Sequence, residues 1–299
     1  MPHGGLRSIR MHDPAEKGAP VTIDQPSGPN EAGTSAGAGS LPFDTTVASQ
    51  ARMYDYLLGG KDNFAADRAA VDAWIKIDPT MAFAARANRA FLTRVIRYLA
   101  GEAGIRQFLD IGAGIPTAGN INEVAQAIAP ESRVVYVDYD PVALAHARAL
   151  LTASDAGVTE YVGADLRDTD TVLLRAREVL DFTRPVAVTL LSVLHAIPDS
   201  DDPYALVAKI MAAVPSGSYL AISQTGSDLL AQESLDGLAD IVAQMRLQPG
   251  FRSREQVERF FEGTDLVEPG LVPVEDWRPD PSTDSAGKSI LWCAVGRKP

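Results

Sequence analysis

Three carboxylates in this sequence each stand at the end of an apolar, strand-like segment. They are Asp110, Asp138 and Asp165. A single aspartate in such a place is most often a helix cap or a loop acid. Three in succession favour a ligand site, because ligands of open α/β sheets bind at the carboxyl ends of the strands.

A glycine turn, Gly112-Ala113-Gly114, follows the first of these segments. Glycine permits a positive φ and lets a ligand approach the backbone without a Cβ in the way. Such turns are also common in ordinary loops, so the glycines alone do not decide between a structural and a functional role. Asp110 limits the class of ligand, because its negative charge repels a pyrophosphate and attracts an ammonium group. Asp138 follows the glycine turn at a distance typical of the acid that hydrogen-bonds ribose hydroxyls in nucleotide-binding proteins.

The elements that position these residues alternate between strand and helix patterns, which predicts a doubly wound, mostly parallel sheet. Asp140-Pro141 and Asp202-Pro203 each supply an N-cap followed by a proline at the first helical position. Ser253 and Gln256 form a capping box. The predicted strands are 107–111, 134–137, 160–162, 186–191, 219–223, 266–274 and 290–295.

Composition divides the chain into three parts. Residues 1–44 are rich in Gly, Pro, Ser and Ala and have no apolar periodicity, which predicts a disordered tail. Residues 45–104 have helical periodicity and predict a helical cap or lid. Residues 105–299 carry the alternating pattern and predict the sheet domain.

The helical cap has its own boundary signals. Gly59-Gly60 ends a first predicted helix at 47–58, and Asp62 or Asn63 caps the second. Gly101 ends a third helix. Its apolar stripe consists of Phe91, Leu92, Val95, Ile96 and Leu99.

Charge and composition limit the possible partners. The chain has 299 residues, a formal net charge of −12 and 46% hydrophobic residues. The acidic balance disfavours nucleic acids and anionic membranes, and favours a small or cationic substrate. The single Cys293 excludes a disulfide framework or a multi-cysteine zinc site. Residues 1–40 lack the apolar core that a signal peptide needs, and about 18 apolar residues never run together, so we expect neither a signal peptide nor a membrane span. We therefore expect a cytoplasmic enzyme without a metal; its oligomeric state is open.

The combined motifs resemble class I S-adenosylmethionine (SAM)-dependent methyltransferases. Within them, the chain is similar to an actinobacterial S-adenosyl methyltransferase family once catalogued as a domain of unknown function. Residues 54–64 (YDYLLGGKDNF) and 87–92 (ANRAFL) carry this likeness together with the acid and glycine motifs. It extends from about residue 45 to the C-terminus. Pro116 departs from the pattern, since many class I enzymes have a third glycine there.

This resemblance implies a Rossmann-like, seven-stranded sheet with an antiparallel terminal strand, and SAM as cofactor with S-adenosylhomocysteine (SAH) as product. It implies that Asp110 and the backbone of residues 112–114 hold the methionine end of SAM. Asp138 would accept hydrogen bonds from both ribose hydroxyls. Ser192, after the fourth strand, is expected among the residues that contact the cofactor.

The same resemblance gives roles at the adenine. Tyr139 would pack on the ring, although an aromatic residue in a helix cap also packs on protein surfaces. Asp165 would receive the adenine amino group, with the backbone of Leu166 beside it. Lys61 either contacts the cofactor carboxylate from a lid or is solvated in an ordinary turn between helices.

The candidates for catalysis are His195 and Tyr54. Methyl transfer is an in-line displacement that depends mainly on positioning, and a base is needed only for a protonated acceptor. His195 follows the fourth strand and is the candidate base, although a lone histidine is more often structural. Tyr54 and Tyr56 either line an acceptor pocket, where they could face the sulfonium, or pack the cap on the sheet.

Three functions are compatible with these residues. A small-molecule methyltransferase is favoured, and a protein that binds SAM or SAH without turnover is the alternative. An NAD-dependent oxidoreductase is disfavoured, because the third glycine is missing and Asp110 precedes the turn. The sequence after Leu191 lacks the Asn-Pro-Pro-Tyr motif, which argues against methylation of adenine or glutamine amides.

Overall fold

The fold is taken from a computed structural model that describes residues 43–150, 157–244, 250–280 and 287–299. The predicted disordered tail, residues 1–44, therefore lies outside the described residues apart from Phe43 and Asp44. None of the helices in the described ranges is long and apolar enough to cross a membrane.

Three helices precede the sheet, as predicted. They are α1 Gln50–Leu57, α2 Ala65–Ile77 and α3 Met81–Arg97, and a π-helical turn, Tyr98–Glu102, continues α3. The five residues of the predicted stripe are all buried, four of them on α3 and Leu99 in the π-helical turn. Gly101 does not end this helix, because it lies inside the π-helical turn.

The start of α2 differs from the prediction. Its N-cap is Phe64, and neither Asp62 nor Asn63 caps the helix. The backbone amide of Asp62 and the side-chain amide of Asn63 instead donate to Asp55 Oδ2, at 2.9 and 2.8 Å. Asp67 supplies the missing cap by accepting from the Phe64 amide at 2.8 Å. The buried Asp55 carboxylate therefore holds the turn that the sequence pattern assigned to a helix cap.

The described strands form one mixed sheet in the order β3-β2-β1-β4-β5-β8-β6, with β7 also paired to β8. Strands β1 to β5 are parallel, and β8 runs antiparallel to β5. The predicted strand 266–274 is two short strands that both pair with β8, which explains eight strands where seven were expected. The strands are β1 Gln107–Ile111, β2 Arg133–Asp138, β3 Val158–Gly163, β4 Ala187–Leu191, β5 Tyr219–Thr225, β6 Asp265–Leu266, β7 Val272–Pro273 and β8 Leu291–Arg297.

Further helices cover the sheet: α4 Ile121–Ile128, α5 Pro141–Leu150, α6 Thr169–Ala176, α7 Pro203–Ala213, α8 Gln232–Gln244 and α9 Arg254–Glu258. The predicted caps are present. Asp140 accepts from the Val142 amide at 2.8 Å, Asp202 accepts from the Ala205 amide at 3.1 Å, and Ser253 with Gln256 forms the capping box.

The central strands are buried on both faces, as in a doubly wound sheet. All residues of β1 and β5 are buried. Alternate residues of β1 enter different cores: Leu109 packs in the core that contains α6 and α7, and Phe108 in the core beneath α3. The sheet is thus covered on both faces, and the carboxyl ends of its parallel strands meet at one edge.

Candidate functional site

One large cavity lies at the carboxyl edge of the parallel strands. It encloses about 1670 Å³, counting its open mouth, and residues from α1, α2 and α3 line it opposite the strand ends. The candidate site residues found along its wall are Tyr54, Asp110, Gly112, Ala113, Gly114, Asp138, Tyr139, Asp165, Leu166, Ser192 and His195. The structure therefore brings together residues from five separate segments of the sequence.

The two glycines of the turn, Gly112 and Gly114, are needed for different structural reasons. Gly112 has a φ of +79°, and a Cβ there would lie 2.4 Å from Cγ2 of Val193. Gly114 has a φ of +66°, and a Cβ there would meet nothing within 4 Å. The first glycine therefore lets the turn pack against the loop after β4. The second leaves open space at the cavity wall, which a ligand can enter.

Asp110 is buried at the end of β1. Thr189 Oγ1, on the neighbouring strand β4, donates to its Oδ1 at 2.5 Å. Burial raises the pKa of Asp110 to about 6, while the Thr189 hydrogen bond and the positive charge of Arg89 act in the opposite direction. One carboxylate oxygen is thus held by the sheet, and the charge is costly to bury without a cationic ligand.

Arg89 is a cation on the cavity wall that the sequence analysis did not predict. It lies on α3, lines the cavity, and donates to the backbone oxygen of Ala118 at 3.1 Å and to Asn120 Oδ1 at 3.2 Å. Arg89 belongs to the 87–92 motif on which the family resemblance rests. The motif could have pointed to Arg89 as a functional residue. Which face of α3 meets the cavity, however, depends on how the helix packs on the sheet.

Asp138 is joined to the glycine turn. Its Oδ2 accepts from the Gly114 amide at 2.7 Å, and its Oδ1 accepts from the Asp140 amide at 2.8 Å. Burial raises the pKa of Asp138, and these backbone hydrogen bonds lower it. Each carboxylate oxygen has two lone pairs, so both retain acceptor capacity for ligand hydroxyls.

The adenine candidates are placed unequally. Tyr139 is 61% exposed and lines the cavity, and Leu166, which is buried, also lines it. Asp165 already accepts three hydrogen bonds from Arg167, at 2.9 Å from its amide, 2.9 Å from Nε and 2.7 Å from Nη2. The Arg167 hydrogen bonds lower the pKa of Asp165. The carboxylate of Asp165 is therefore largely occupied by protein donors.

Ser192 and Tyr54 belong to one hydrogen-bond chain. The Ser192 amide, in a backbone with a φ of +56°, donates to Ser223 Oγ at 2.9 Å, and Ser223 Oγ donates to Asn88 Oδ1 at 2.7 Å. Asn88 Nδ2 then donates to the Tyr54 hydroxyl at 2.9 Å, which donates to the Ala85 oxygen at 3.1 Å. Burial raises the pKa of Tyr54. This chain connects α1 and α3 to the ends of β4 and β5.

His195 lies in the short helical turn after β4. Its Nδ1 is 3.3 Å from Thr225 Oγ1, and the pKa of the imidazole falls to about 4, mainly through burial and secondly through the charge of Arg252. His195 is therefore neutral at pH 7. The buried Arg252 holds the surrounding loop by donating to the oxygens of Leu194 and Ile197, both at 2.9 Å.

Lys61 and Tyr56 are not among the described residues that line the cavity. Lys61 is exposed in the turn after α1, while Tyr56 donates to Asp72 Oδ1 at 3.2 Å. In the same turn, a Cβ on Gly60 would lie 1.9 Å from Asp55 Oδ1, so this glycine permits close packing on that carboxylate. The turn therefore has a structural explanation that does not involve Lys61.

Comparisons with known proteins identify the family of the chain. A family model described as S-adenosyl methyltransferase matches residues 37–299. The crystal structure of a DUF574 family protein from Streptomyces avermitilis is 44% identical, with a TM-score of 0.82, over 86% of this chain and 99% of that chain. A crystal structure from Thermobifida fusca is 41% identical, with a TM-score of 0.78, over 85% of this chain and 96% of that one. No protein of curated function matches the chain significantly. Because the family model covers most of the sequence, the chain belongs to the S-adenosyl methyltransferase family, whose cofactor is SAM.

Proposed function

We propose that this protein is an enzyme that transfers the methyl group of SAM to a small-molecule acceptor. The observation that carries the proposal is a cavity at the strand ends whose wall includes the glycine turn 112–114, two buried carboxylates and a neutral histidine. SAM supplies an electrophilic methyl group when bound. The protein's own residues supply binding, orientation and exclusion of water.

The methionine end of SAM fits the part of the cavity around Asp110. The ammonium group pairs with the buried Asp110 carboxylate, and the open space beside Gly114 admits the ligand to the backbone. We assign the cofactor carboxylate to Arg89, because Arg89 is a cation on the cavity wall whereas Lys61 lies outside it. Lys61 remains a candidate only if the turn after α1 moves.

The nucleoside end fits the segment from Asp138 to Leu166. Asp138 accepts from the ribose hydroxyls through the lone pairs left free by Gly114 and Asp140. Tyr139 packs on adenine, and burying its exposed ring favours that contact. Asp165 acts mainly through Arg167 and reaches the adenine amino group only with its remaining lone pairs.

The acceptor meets the methyl group near His195 and Ser192. Positioning accounts for much of the rate of such a displacement. His195 is neutral at pH 7 and can accept a proton, but its low pKa makes it a weak base. This favours an acceptor that loses its proton only after the bond to the methyl carbon has begun to form. The hydrogen-bond chain from Ser192 to Tyr54 positions the post-β4 loop against the helical cap.

The test is to measure SAM and SAH binding by calorimetry and then to incubate the protein with radiolabelled SAM and cell extract. Binding of both nucleosides, label in a small-molecule fraction and no comparable affinity for NAD support the proposal. A protein that binds SAH tightly and labels no fraction is the non-catalytic alternative. We propose the cytoplasm as the compartment of this protein. Disulfides are rare in the cytoplasm, and a chain with a single cysteine forms no intrachain disulfide.

A further inference from the structure

The cavity is longer than the cofactor segment described above. In the strand order, β5 and β8 lie beyond β4, on the side away from β2 and β3. Neighbouring strands are about 4.8 Å apart, so the ends of β5 and β8 are roughly 10 to 15 Å from that of β1. Thr225, at the end of β5, and Leu291, its partner in register on β8, both line this distal part.

We call this part of the cavity the acceptor end, and define it by Met53, Leu57, Trp74, Met81, Thr225 and Leu291. Trp74 and Met81 pack against the hydrophobic cluster that contains Leu291, and Trp74 also packs in a second cluster with Met53 and Leu57. Residues of α1, α2 and the start of α3 therefore lie near the cavity ends of β5 and β8. The side chains are apolar or neutral, and they include a tryptophan and two methionines. Methionine and tryptophan form favourable contacts with aromatic and other polarisable groups.

Formal charge in the cavity is confined to the cofactor segment. The charged residues along the wall are Arg89, Asp110, Asp138, Asp140, Asp165 and Arg167. Among the described lining residues, none at the acceptor end carries a formal charge. His195, at the boundary between the two parts, is neutral at pH 7 because of its burial. A charged acceptor would therefore lose its hydration without gaining a partner, which is costly.

His195 also presents one polar atom at this boundary. Nδ1 faces Thr225 Oγ1, whereas Nε2 forms no hydrogen bond with the described residues and is not among the fully buried polar atoms. A ligand hydroxyl or amine can therefore bond to Nε2 while the rest of the molecule lies on the apolar wall.

We infer that the methyl acceptor is an uncharged, largely apolar molecule with one hydroxyl or neutral amine nucleophile, bound between His195 and the acceptor end. This inference rests on the proposed function and adds the chemical class of its substrate. It also limits the expectation from the net charge of −12, because the local wall, and not the overall charge, selects the acceptor. When methyl is transferred to a hydroxyl, the new bond joins oxygen to the methyl carbon, the carbon–sulfur bond breaks with its electron pair on sulfur, and the hydroxyl proton goes to Nε2 or water.

The test uses three phenols of similar size: 4-ethylphenol, which is neutral, tyramine, which is cationic, and 4-hydroxyphenylacetate, which is anionic. Each is titrated calorimetrically at pH 7 into protein saturated with SAH, so that no sulfonium charge influences the result. We expect 4-ethylphenol to bind at least about tenfold more tightly than either charged compound, because only they bury an unpaired charge. Equal affinities, tighter binding of a charged compound, or no binding of 4-ethylphenol would overturn the inference.

A substitution tests whether the acceptor end itself makes this choice. Met81→Asp adds a carboxylate to the wall and should raise the affinity for tyramine relative to 4-ethylphenol by about tenfold. Leu174→Asp is the matched control, because Leu174 is 64% exposed on α6 and does not line the cavity. It should leave the preference unchanged. An unchanged preference in Met81→Asp, with SAH still bound, would place the acceptor elsewhere.

SAH binding separates the two possible failures. A protein that does not bind SAH contradicts the proposed function. A protein that binds SAH but shows no preference for the neutral phenol contradicts only the acceptor class.

Discussion

The amide of Gly114 donates a 2.7 Å hydrogen bond to Oδ2 of Asp138, so the glycine turn after β1 and the acid after β2 form one unit. The subsites that we propose for the methionine and ribose parts of SAM are therefore joined by a direct hydrogen bond. A change at the acid alters the turn as well as its own ligand contact. Substitutions at these positions must be followed by both affinity and stability measurements.

Asp138→Ala should weaken SAM binding by roughly 1–3 kcal/mol, because the ribose hydroxyls lose their acceptor in a buried place. The Gly114 and Asp140 amides also lose their partner, so the melting temperature of the ligand-free protein should fall. Calorimetry with SAM and thermal melting without it measure the two effects. Asp138→Asn retains an acceptor oxygen and should lie between wild type and Asp138→Ala in both. Unchanged SAM affinity in Asp138→Ala would refute the ribose assignment.

Asp110 should make the stability of the ligand-free protein depend on pH. Burial raises its folded-state pKa to about 6, above the ordinary value of 3.8. The ionised group therefore destabilises the folded state above about pH 6, and this cost disappears as the pH falls from 6 toward 4. Its size is on the order of 3 kcal/mol.

Asp110→Asn should accordingly melt at a higher temperature than wild type at pH 7.5, and the gap should narrow at pH 4.5. The same variant should bind SAM much more weakly, because the ammonium group loses its counter-charge. Asp181→Asn is the control. The pKa of Asp181 is lowered by its Thr183 hydrogen bonds, so that variant should not gain stability at pH 7.5. A melting gap independent of pH would contradict the argument.

Substitutions of Arg89 and Lys61 should affect SAM binding differently, because we assign the cofactor carboxylate to Arg89. Arg89→Met should weaken SAM by about 10- to 100-fold, as expected for a lost charge-assisted hydrogen bond, and adenosine much less, since adenosine has no carboxylate. Lys61→Ala should leave both affinities unchanged. Calorimetry with the two ligands decides between them. A SAM-specific loss in Lys61→Ala and none in Arg89→Met would return the lid interpretation to Lys61.

The helical cap and the preceding tail should differ in function. Removing residues 1–44 should leave the melting temperature and SAM affinity almost unchanged. Removing residues 1–64 deletes α1, and with it Tyr54 and the Ser49 hydroxyl that donates to Asp140. This variant should bind SAM more weakly and lose methyl transfer, because an open site is more hydrated. Full SAM affinity without α1 would show that the cap serves the fold or the acceptor.

The positions of Asp110 and Asp138 could be predicted because they depend on local patterns. Asp138 is the last residue of β2 and Asp110 the next-to-last residue of β1, and parallel strands place their carboxyl ends together. The caps at Asp140, Asp202 and Ser253 are also local and were predicted correctly.

Features that depend on distant residues could not be predicted in this way. Arg89 meets the cavity only because α3 docks with that face toward the strand ends. The low pKa of His195 depends on burial and on Arg252, far along the chain. The division of the predicted strand 266–274 into two depends on pairing with β8. The predicted N-cap of α2 was wrong because Asp62 and Asn63 donate to Asp55 instead.

The two glycines of the turn give the sharpest test of the site geometry. Gly112→Ala adds a Cβ 2.4 Å from Val193 Cγ2 and forces a residue with a side chain into a φ of +79°. Overpacking and backbone strain together should cost about 2–5 kcal/mol, seen as a lower melting temperature. Adding Val193→Ala removes the clash but not the strain, so the double variant should recover part of the loss. If it melts no higher than Gly112→Ala, the contact between turn and loop is not the cause.

Gly114→Ala isolates the ligand's requirement from the fold's. Its Cβ meets no protein atom within 4 Å, so only the strain of a φ of +66° remains, about 1–2 kcal/mol. The added methyl group would, however, occupy the open space through which we propose that the cofactor approaches the backbone. Calorimetry should therefore find a loss of SAM affinity out of proportion to the small change in melting temperature. An equal affinity for SAM in this variant would mean that the space beside Gly114 is not part of the cofactor site.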